Sequence, residues 1–259
     1  MHDLTGEDAC ADSWHNGILQ PWTLQKPKEN RQMKLNVLTV TYDTDINDRE
    51  VPLFRGAVIA SVDAGAESGT LFHNHEGDGF HYSYPLIQYK CIGHRPMLVG
   101  VQEGALAVWE YLQTDPPELT LNGRRVVHVR QERVDASELE FTVTDGMVNT
   151  YTLHRWLALN SSNYAAYAEA KGLVEKVQRL ERILTGNILS MASGLGVFVD
   201  VPINVQITDI CGKPRVVNYK KVGMMAFDIE FRSNVILPDF IGLGKGNSRG
   251  FGIVRNKKH

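Results

Sequence analysis

No stretch of this chain is apolar for long enough to cross a bilayer. The longest apolar segment, near Ile188 to Val199, is interrupted by glycines, and a membrane helix needs about 20 predominantly apolar residues. Cysteine is scarce. Cys10, Cys91 and Cys211 are odd in number and far apart, which excludes a disulfide framework and a zinc site of the usual spacing. The first residues carry Asp3, Glu7, Asp8 and Asp12 and no apolar segment of the secretory type, so a cytoplasmic protein with reduced thiols is expected. The nucleoside-triphosphate loop pattern G-x-x-x-x-G-K-[ST] is absent. A dinucleotide-binding unit is excluded too, because only seven residues follow Gly252 and such a unit needs a helix after its glycines.

Those late glycines are nevertheless the clearest feature present. Gly242, Gly244, Gly246, Gly250 and Gly252 fall within eleven positions, together with Lys245 and Arg249, and no acid follows Asp239. Glycine backbones turn through positive φ and approach ligands closely. Amides exposed beside Lys and Arg suit phosphate oxygens. Two readings stay open on spacing alone: a phosphate-backbone site, or a tight loop before a closing strand. The charge distribution favours a polyanion. Residues 210–259 carry ten Lys and Arg, Lys220 and Lys221 among them, against three acids. That is +7 in a chain whose total is −3, so the other 209 residues carry −10. A segregated basic end is the footprint of polyanion binding.

At 259 residues the chain suits two domains. Residues 1–32 read as an N-terminal extension outside the core. The folded part is expected to start at Met33; from Lys34 alternation predicts a strand, and Pro52 opens a helix to about Val62. A glycine-rich loop over 64–79 leads to an aromatic strand over Phe80–Ile92, a strand over Met97–Val101, and a helix over Glu103–Leu112. Glu118–Val134 and Glu138–Trp156 read as long strands or hairpins, with a turn at Asp145-Gly146. The order to residue 134 is β-α-β-β-α-β, the ferredoxin-like arrangement of many RNA-recognition modules. The expected fold is α+β, with an N-terminal domain over 33–156 and a C-terminal one over 157–259. The second opens on Asn160, a good helix cap. It continues with a helix burying Leu173, Val177, Leu180 and Leu184, a short helix over Asn187–Met191, and strands over Val201–Ile210, Arg215–Tyr219, Val222–Leu237 and Phe251–Arg255.

Three of nine histidines, His73, His75 and His81, lie within nine residues, beside Tyr82 and Tyr84. Histidine exchanges protons near neutral pH. Three readings are open for the cluster: a metal-dependent hydrolase using His73, His75 and His81 with Asp78; metal-free acid–base chemistry by a His and a Tyr; and a solvated loop. RNA suits the second, because its 2′-hydroxyl is an internal nucleophile that needs only proton transfers and charge stabilisation.

The ordered set of motifs resembles the CRISPR-associated endoribonucleases that cut repeat RNA into guide RNAs. It carries His73-Asn74-His75, then Tyr84-Pro85-Leu86-Ile87-Gln88-Tyr89-Lys90. Leu53-Phe54-Arg55-Gly56 and Gly100-Val101-Gln102-Glu103-Gly104 also match, as do Trp156-Leu157-Ala158-Leu159-Asn160 and Gly186-Asn187-Ile188-Leu189-Ser190. The closing Leu237–Lys245 with Ser248–Gly252 resembles the family's signature loop. The resemblance implies two tandem ferredoxin-like domains and metal-independent, cofactor-free cleavage, with products ending in 2′,3′-cyclic phosphate and 5′-hydroxyl. It implies His75 as the catalytic histidine, with His73 competing for the role and Tyr82 assisting. RNA contacts are expected from Gly242, Gly244, Lys245, Gly246, Arg249, Gly250, Gly252, Lys220 and Lys221. CRISPR repeat RNA is the implied partner; a CRISPR effector complex and a homodimer are left open. The alternative within the same fold is a repeat-RNA-binding subunit without cleavage.

Overall fold

The computed structural model describes residues 32–62, 69–73, 84–114, 118–122 and 126–257. The chain begins with β1 (Gln32–Tyr42), a 3₁₀ turn (Asp48–Glu50), α1 (Val51–Ser61) and a short α2 (Gly69–His73). Then come β2 (Ile87–Ile92), β3 (Arg95–Val101), α3 (Glu103–Gln113), β4 (Leu119–Asn122), β5 (Val126–Val129) and β6 (Gln131–Thr142). Four of these strands form an antiparallel sheet in the order β2-β3-β1-β6. This is the ferredoxin-like order, with α2 and the β4–β5 hairpin as insertions. The 3₁₀ turn that leads into α1 is fixed by a reciprocal cap. The Asn47 side chain accepts from the Arg49 amide at 3.0 Å, and the Glu50 carboxylate accepts from the Asn47 amide at 3.0 Å. Such a cap satisfies donors that a helix start leaves open.

β1 buries apolar side chains on both of its faces. Leu38 and Val40 pack with Phe54, Val58, Tyr89 and Val108 beneath α1 and α3. Leu35 and Val37, one residue out of phase, join a larger core with Trp156, Leu184, Ile188 and Phe231 from the second half. The period of two sends alternate residues to opposite faces, so one strand serves two cores.

The second half comprises β7 (Asn149–Trp156), α4 (Ser161–Glu169), α5 (Leu173–Gly194), β8 (Val205–Ile210), β9 (Arg215–Tyr219), β10 (Val222–Ser233) and β11 (Ile253–Asn256). Its sheet order is β11-β7-β10-β8, with β9 hairpinned onto β10. The order is again ferredoxin-like, with one departure. Residues 234–252, between β10 and β11, are turns and isolated bridges rather than a helix. The glycine-rich segment occupies the chain position of the second helix.

Several expectations shift. Glu138–Trp156 is not one hairpin: β6 pairs with β1, whereas β7 pairs with β10 and β11. The chain therefore changes sheet between Thr142 and Asn149, ahead of the expected border at 156/157. The two helices expected from Asn163 to Met191 become α4 and a single 22-residue α5 that runs through Gly186. Leu180, Leu184, Ile188 and Met191 form its buried stripe, while Leu173 is 69% exposed. Spacings of four, four and three suit one helical face.

Candidate functional site

The residues that border the histidine segment on either side are firmly held. Its entrance is α2. Phe72 is fully buried and meets Tyr111 edge-on at 5.5 Å, and its carbonyl accepts from the Tyr89 hydroxyl at 3.2 Å. Arg55, from α1, donates from Nη2 to the His73 carbonyl at 2.8 Å and lies over the Tyr89 ring at 5.7 Å. The His73 side chain itself is exposed. His75, His81 and Tyr82 lie outside the described residues. The chain returns at Tyr84, which is buried. Its hydroxyl donates to the Gly242 carbonyl at 2.7 Å and accepts from Gln88 Nε2 at 2.8 Å. Burial holds the Tyr84 hydroxyl above its ordinary pKa. Tyr84 is therefore committed to packing.

The Tyr84–Lys90 motif is a dock for the glycine loop. Besides the Tyr84 bond, Gln88 Oε1 accepts from the Gly242 amide at 2.9 Å. The Tyr89 amide donates to the Ser248 carbonyl at 3.1 Å, and Lys90 Nζ donates to the Asn247 carbonyl at 2.7 Å. Every one of these contacts goes to main chain. Lys90 is fully buried, and burial pushes its ammonium down to about 7. A charge removed from water without a counter-ion favours its neutral form.

Close packing, rather than open amides, accounts for Gly244 and Gly252. At Gly244 (φ +78°) a Cβ would lie 2.8 Å from Trp156 Nε1. That indole donates to Asn187 Oδ1 at 2.9 Å, which ties together three of the sequence motifs. At Gly252 (φ +62°) a Cβ would collide with the Leu243 carbonyl oxygen. The Gly242 and Gly252 amides are both engaged inside the protein, the second with the Arg155 carbonyl at 3.2 Å. Gly242 and Gly250 are buried, Gly246 and Arg249 half-buried, and Lys245 exposed.

Two of the candidate cations converge. Lys220 and Lys221, at φ +51° and +66°, form the turn of the β9–β10 hairpin. Lys220 Nζ and Lys245 Nζ lie 5.8 and 5.7 Å from the ring centre of Tyr219, which meets Phe251 edge-on at 5.6 Å. Cations over an aromatic ring are attracted by its quadrupole. Here this arrangement gathers charge from a hairpin tip and a loop 25 residues apart.

Sequence reading missed Arg155. It sits in β7 at φ +53°, rare for a residue other than glycine. Its amide donates to Asp228 Oδ1 at 2.8 Å. Its guanidinium reaches Asp48 at 2.8 Å and the Gly250 carbonyl at 3.2 Å, and covers the Phe251 ring at 4.4 Å. One side chain thus links the start of α1 to the glycine loop. Among strand residues it carried no signal, because its partners lie about 100 residues away on either side.

Models of two Cas6b domains match this chain in order: the N-terminal domain over residues 33–140 and the C-terminal domain over residues 143–257. The chain belongs to the Cas6b family. The gap between the two matches falls where the chain leaves β6 for β7. A crystal structure of Cas6b superposes with a TM-score of 0.75 at 28% identity, covering 87% of this chain and all of that one. A second, of the CRISPR RNA processing endoribonuclease Cas6b, gives 0.64 at 26% over the same 87% of this chain and all of that one. The uncharacterized protein MJ0978 of Methanocaldococcus jannaschii is 36% identical over 115 residues, 44% of this chain and 76% of that protein. The two tandem ferredoxin-like domains are those of Cas6 proteins. Among the described residues no helix is long and apolar enough to cross a membrane.

Proposed function

We propose that this chain cleaves CRISPR repeat RNA once per repeat, without metal, by attack of a 2′-hydroxyl on its neighbouring phosphate. A base removes the 2′-hydroxyl proton as that oxygen bonds to phosphorus. The bond from phosphorus to the 5′-oxygen breaks, and an acid returns a proton to that oxygen. The products end in 2′,3′-cyclic phosphate and 5′-hydroxyl. His75 is the principal proton-transfer group, His73 its competitor for that role, and Tyr82 an assistant. Lys245, Lys220, Lys221 and Arg249 contribute charge toward the RNA backbone, with the glycine-loop backbone around them.

The observation that carries this reading is the histidine segment held at both ends, by Arg55 at His73 and by Gly242 at Tyr84, in a chain of the Cas6b family. Fixed groups at the borders of a segment bearing histidines and a tyrosine suit acid–base catalysis, which depends on positioned proton donors and acceptors. The test is single-turnover cleavage of the cognate repeat RNA by the unaltered protein, His75→Ala and His73→Ala, each with and without chelator. Cleavage that survives chelator and collapses in His75→Ala supports the reading. Cleavage that zinc or manganese restores after chelation replaces it with metal-dependent hydrolysis. Tight repeat binding with no product under any condition leaves an RNA-holding subunit.

A further inference from the structure

The first turn of α1 lies against the glycine loop. A Cβ on Gly250 would stand 3.4 Å from both Val51 methyls. Arg55 follows Val51 by one helical turn and so shares its face. Its guanidinium lies over the Tyr89 ring at 5.7 Å and donates from Nη2 to the His73 carbonyl at 2.8 Å. Arg249 meets the same tyrosine through the main chain. The two residues form an isolated parallel bridge, and the Arg249 amide donates to the Gly246 carbonyl at 2.8 Å. Tyr89 thereby seats two half-buried arginines, one from α1 and one from the loop, beside the residue at which the histidine segment starts.

Neither of these arginines is neutralised. Arg155 has Asp48, Arg179 has Glu175 and Arg215 has Asp228. Among the described residues no carboxylate pairs with Arg55 or Arg249. Burial draws the Arg55 guanidinium below its ordinary pKa, Tyr89 opposes this, and the charge of Arg249 adds to it. Two like charges held together where water is partly excluded repel each other. An anion placed between them attracts both. Planar guanidinium forks match the paired non-bridging oxygens of a phosphate. Arg249 can offer its whole fork, since only its main chain is engaged among the described residues. Arg55 uses Nη2 on His73.

We propose that Arg55 is a catalytic residue, which with Arg249 clamps the scissile phosphate and stabilises the charge that builds on its non-bridging oxygens. Both arginines stay protonated as the 2′-oxygen bonds to phosphorus and the bond to the 5′-oxygen breaks. The protons that move are those taken by the base and returned by the acid. Fixed donors are worth most where charge develops during the reaction. The inference rests on the cleavage reading and deepens it, by assigning a charge-stabilising group to a site whose histidines transfer protons.

The test is single-turnover cleavage of the cognate repeat RNA at saturating protein. Affinity is measured separately on the same RNA made non-cleavable by a 2′-deoxynucleotide at the cleavage position. Arg55→Gln keeps an amide donor for the His73 carbonyl and loses the charge, whereas Arg55→Lys keeps a donor and the charge. Arg55→Gln is expected to cut about 10²-fold more slowly while binding within about 3-fold of the unaltered protein, and Arg55→Lys to regain about 10-fold of the lost rate. An uncharged methylphosphonate in place of the scissile phosphate of the non-cleavable RNA should weaken binding to the unaltered protein, and less so to Arg249→Gln. Near-ultraviolet circular dichroism checks that the variants are folded. If Arg55→Gln is not, the methylphosphonate comparison decides, and equal discrimination by Arg249→Gln and the unaltered protein overturns the clamp. Equal rates for Arg55→Gln and Arg55→Lys overturn the proposal by reducing Arg55 to a holder of the His73 carbonyl. So does an unchanged rate for Arg55→Gln. Either outcome leaves cleavage by the unaltered protein standing. If the unaltered protein yields no product, the cleavage reading falls and the clamp with it.

Discussion

Lys90 and Asn247, 157 positions apart, are joined by a 2.7 Å hydrogen bond from ammonium to carbonyl, and no water reaches the lysine. The bond joins β2 of the first sheet to the loop that closes the second. Its donor carries a pKa of about 7 where an exposed lysine has 10.5, so the joint is sensitive to protonation.

The sign follows from that depression. Between about pH 7 and 10.5 the unfolded chain holds a proton on Lys90 that the folded chain has lost, so stability rises with pH across this window. The slope is up to about 1.4 kcal/mol per pH unit. Below 7 both states are protonated and this contribution is flat. Urea midpoints at pH 7 and pH 9.5 should differ for the unaltered protein, once other groups are subtracted using Lys90→Met. A Lys90→Met variant with the same pH dependence would assign the rise to other groups.

Gly252→Ala is expected to unfold the C-terminal half or cost more than about 3 kcal/mol, because positive φ alone costs about 1–2 kcal/mol and the new Cβ meets a backbone carbonyl. Gly244→Ala should follow closely. Gly250→Ala should be milder, about 1–2 kcal/mol, since its nearest neighbour is a Val51 methyl at 3.4 Å. Thermal melting orders the three. Equal, small losses would return the glycines to a role in ligand approach.

The two tyrosines flanking Ser83 should separate cleanly. Tyr84→Phe loses the bonds to Gly242 and Gln88 and should cost about 1–2 kcal/mol of stability while leaving the single-turnover rate near that of the unaltered protein. Tyr82→Phe should slow cleavage without that loss of stability. Inverted results would exchange their roles.

His75→Ala should lower the single-turnover rate by about 10²–10⁴-fold and leave repeat affinity within a few-fold. A smaller drop for His73→Ala ranks the two. If His73→Ala is the more damaging, the exposed end of α2 holds the main proton-transfer group.

Lys245→Ala, exposed at the loop surface, should leave the melting temperature unchanged. It should weaken repeat binding about uniformly across RNA sequences, with the salt slope reduced by about 1. Combined with Lys220→Ala, the losses should be less than additive if both lysines serve one phosphate beside Tyr219.

The first half of the fold was legible because its signals are local. Alternation in β1, Pro52 at the start of α1 and the strand pair before α3 gave the ferredoxin-like order directly. Gly186 and Asn187 misled, since they read as a helix break. Inside α5 a Cβ at Gly186 would meet nothing, so the glycine is tolerated there, and Asn187 is retained as the acceptor of the Trp156 indole. The change of sheet before Asn149, ahead of the border expected after Trp156, was hidden for a related reason. Nothing local distinguishes a strand that pairs backward from one that pairs forward, and β7 finds its partners 70 to 100 residues later. At the candidate site, the resemblance marked the Tyr84–Lys90 motif and the glycine loop separately. That each is the other's partner is a long-range fact that neither stretch contains. Arg155 was invisible on both counts.

The joint between the halves grips only peptide groups of the loop: the carbonyls of Gly242, Asn247 and Ser248 and one amide. A fastening that reads the backbone is indifferent to the letters written on it. Positions such as Lys245 and Ser248 can therefore be rewritten to suit a different RNA while the hinge-line stays closed. Changes at Gly244 or Gly252 jam it. In engineering terms, the loop offers a variable face mounted on an invariant latch.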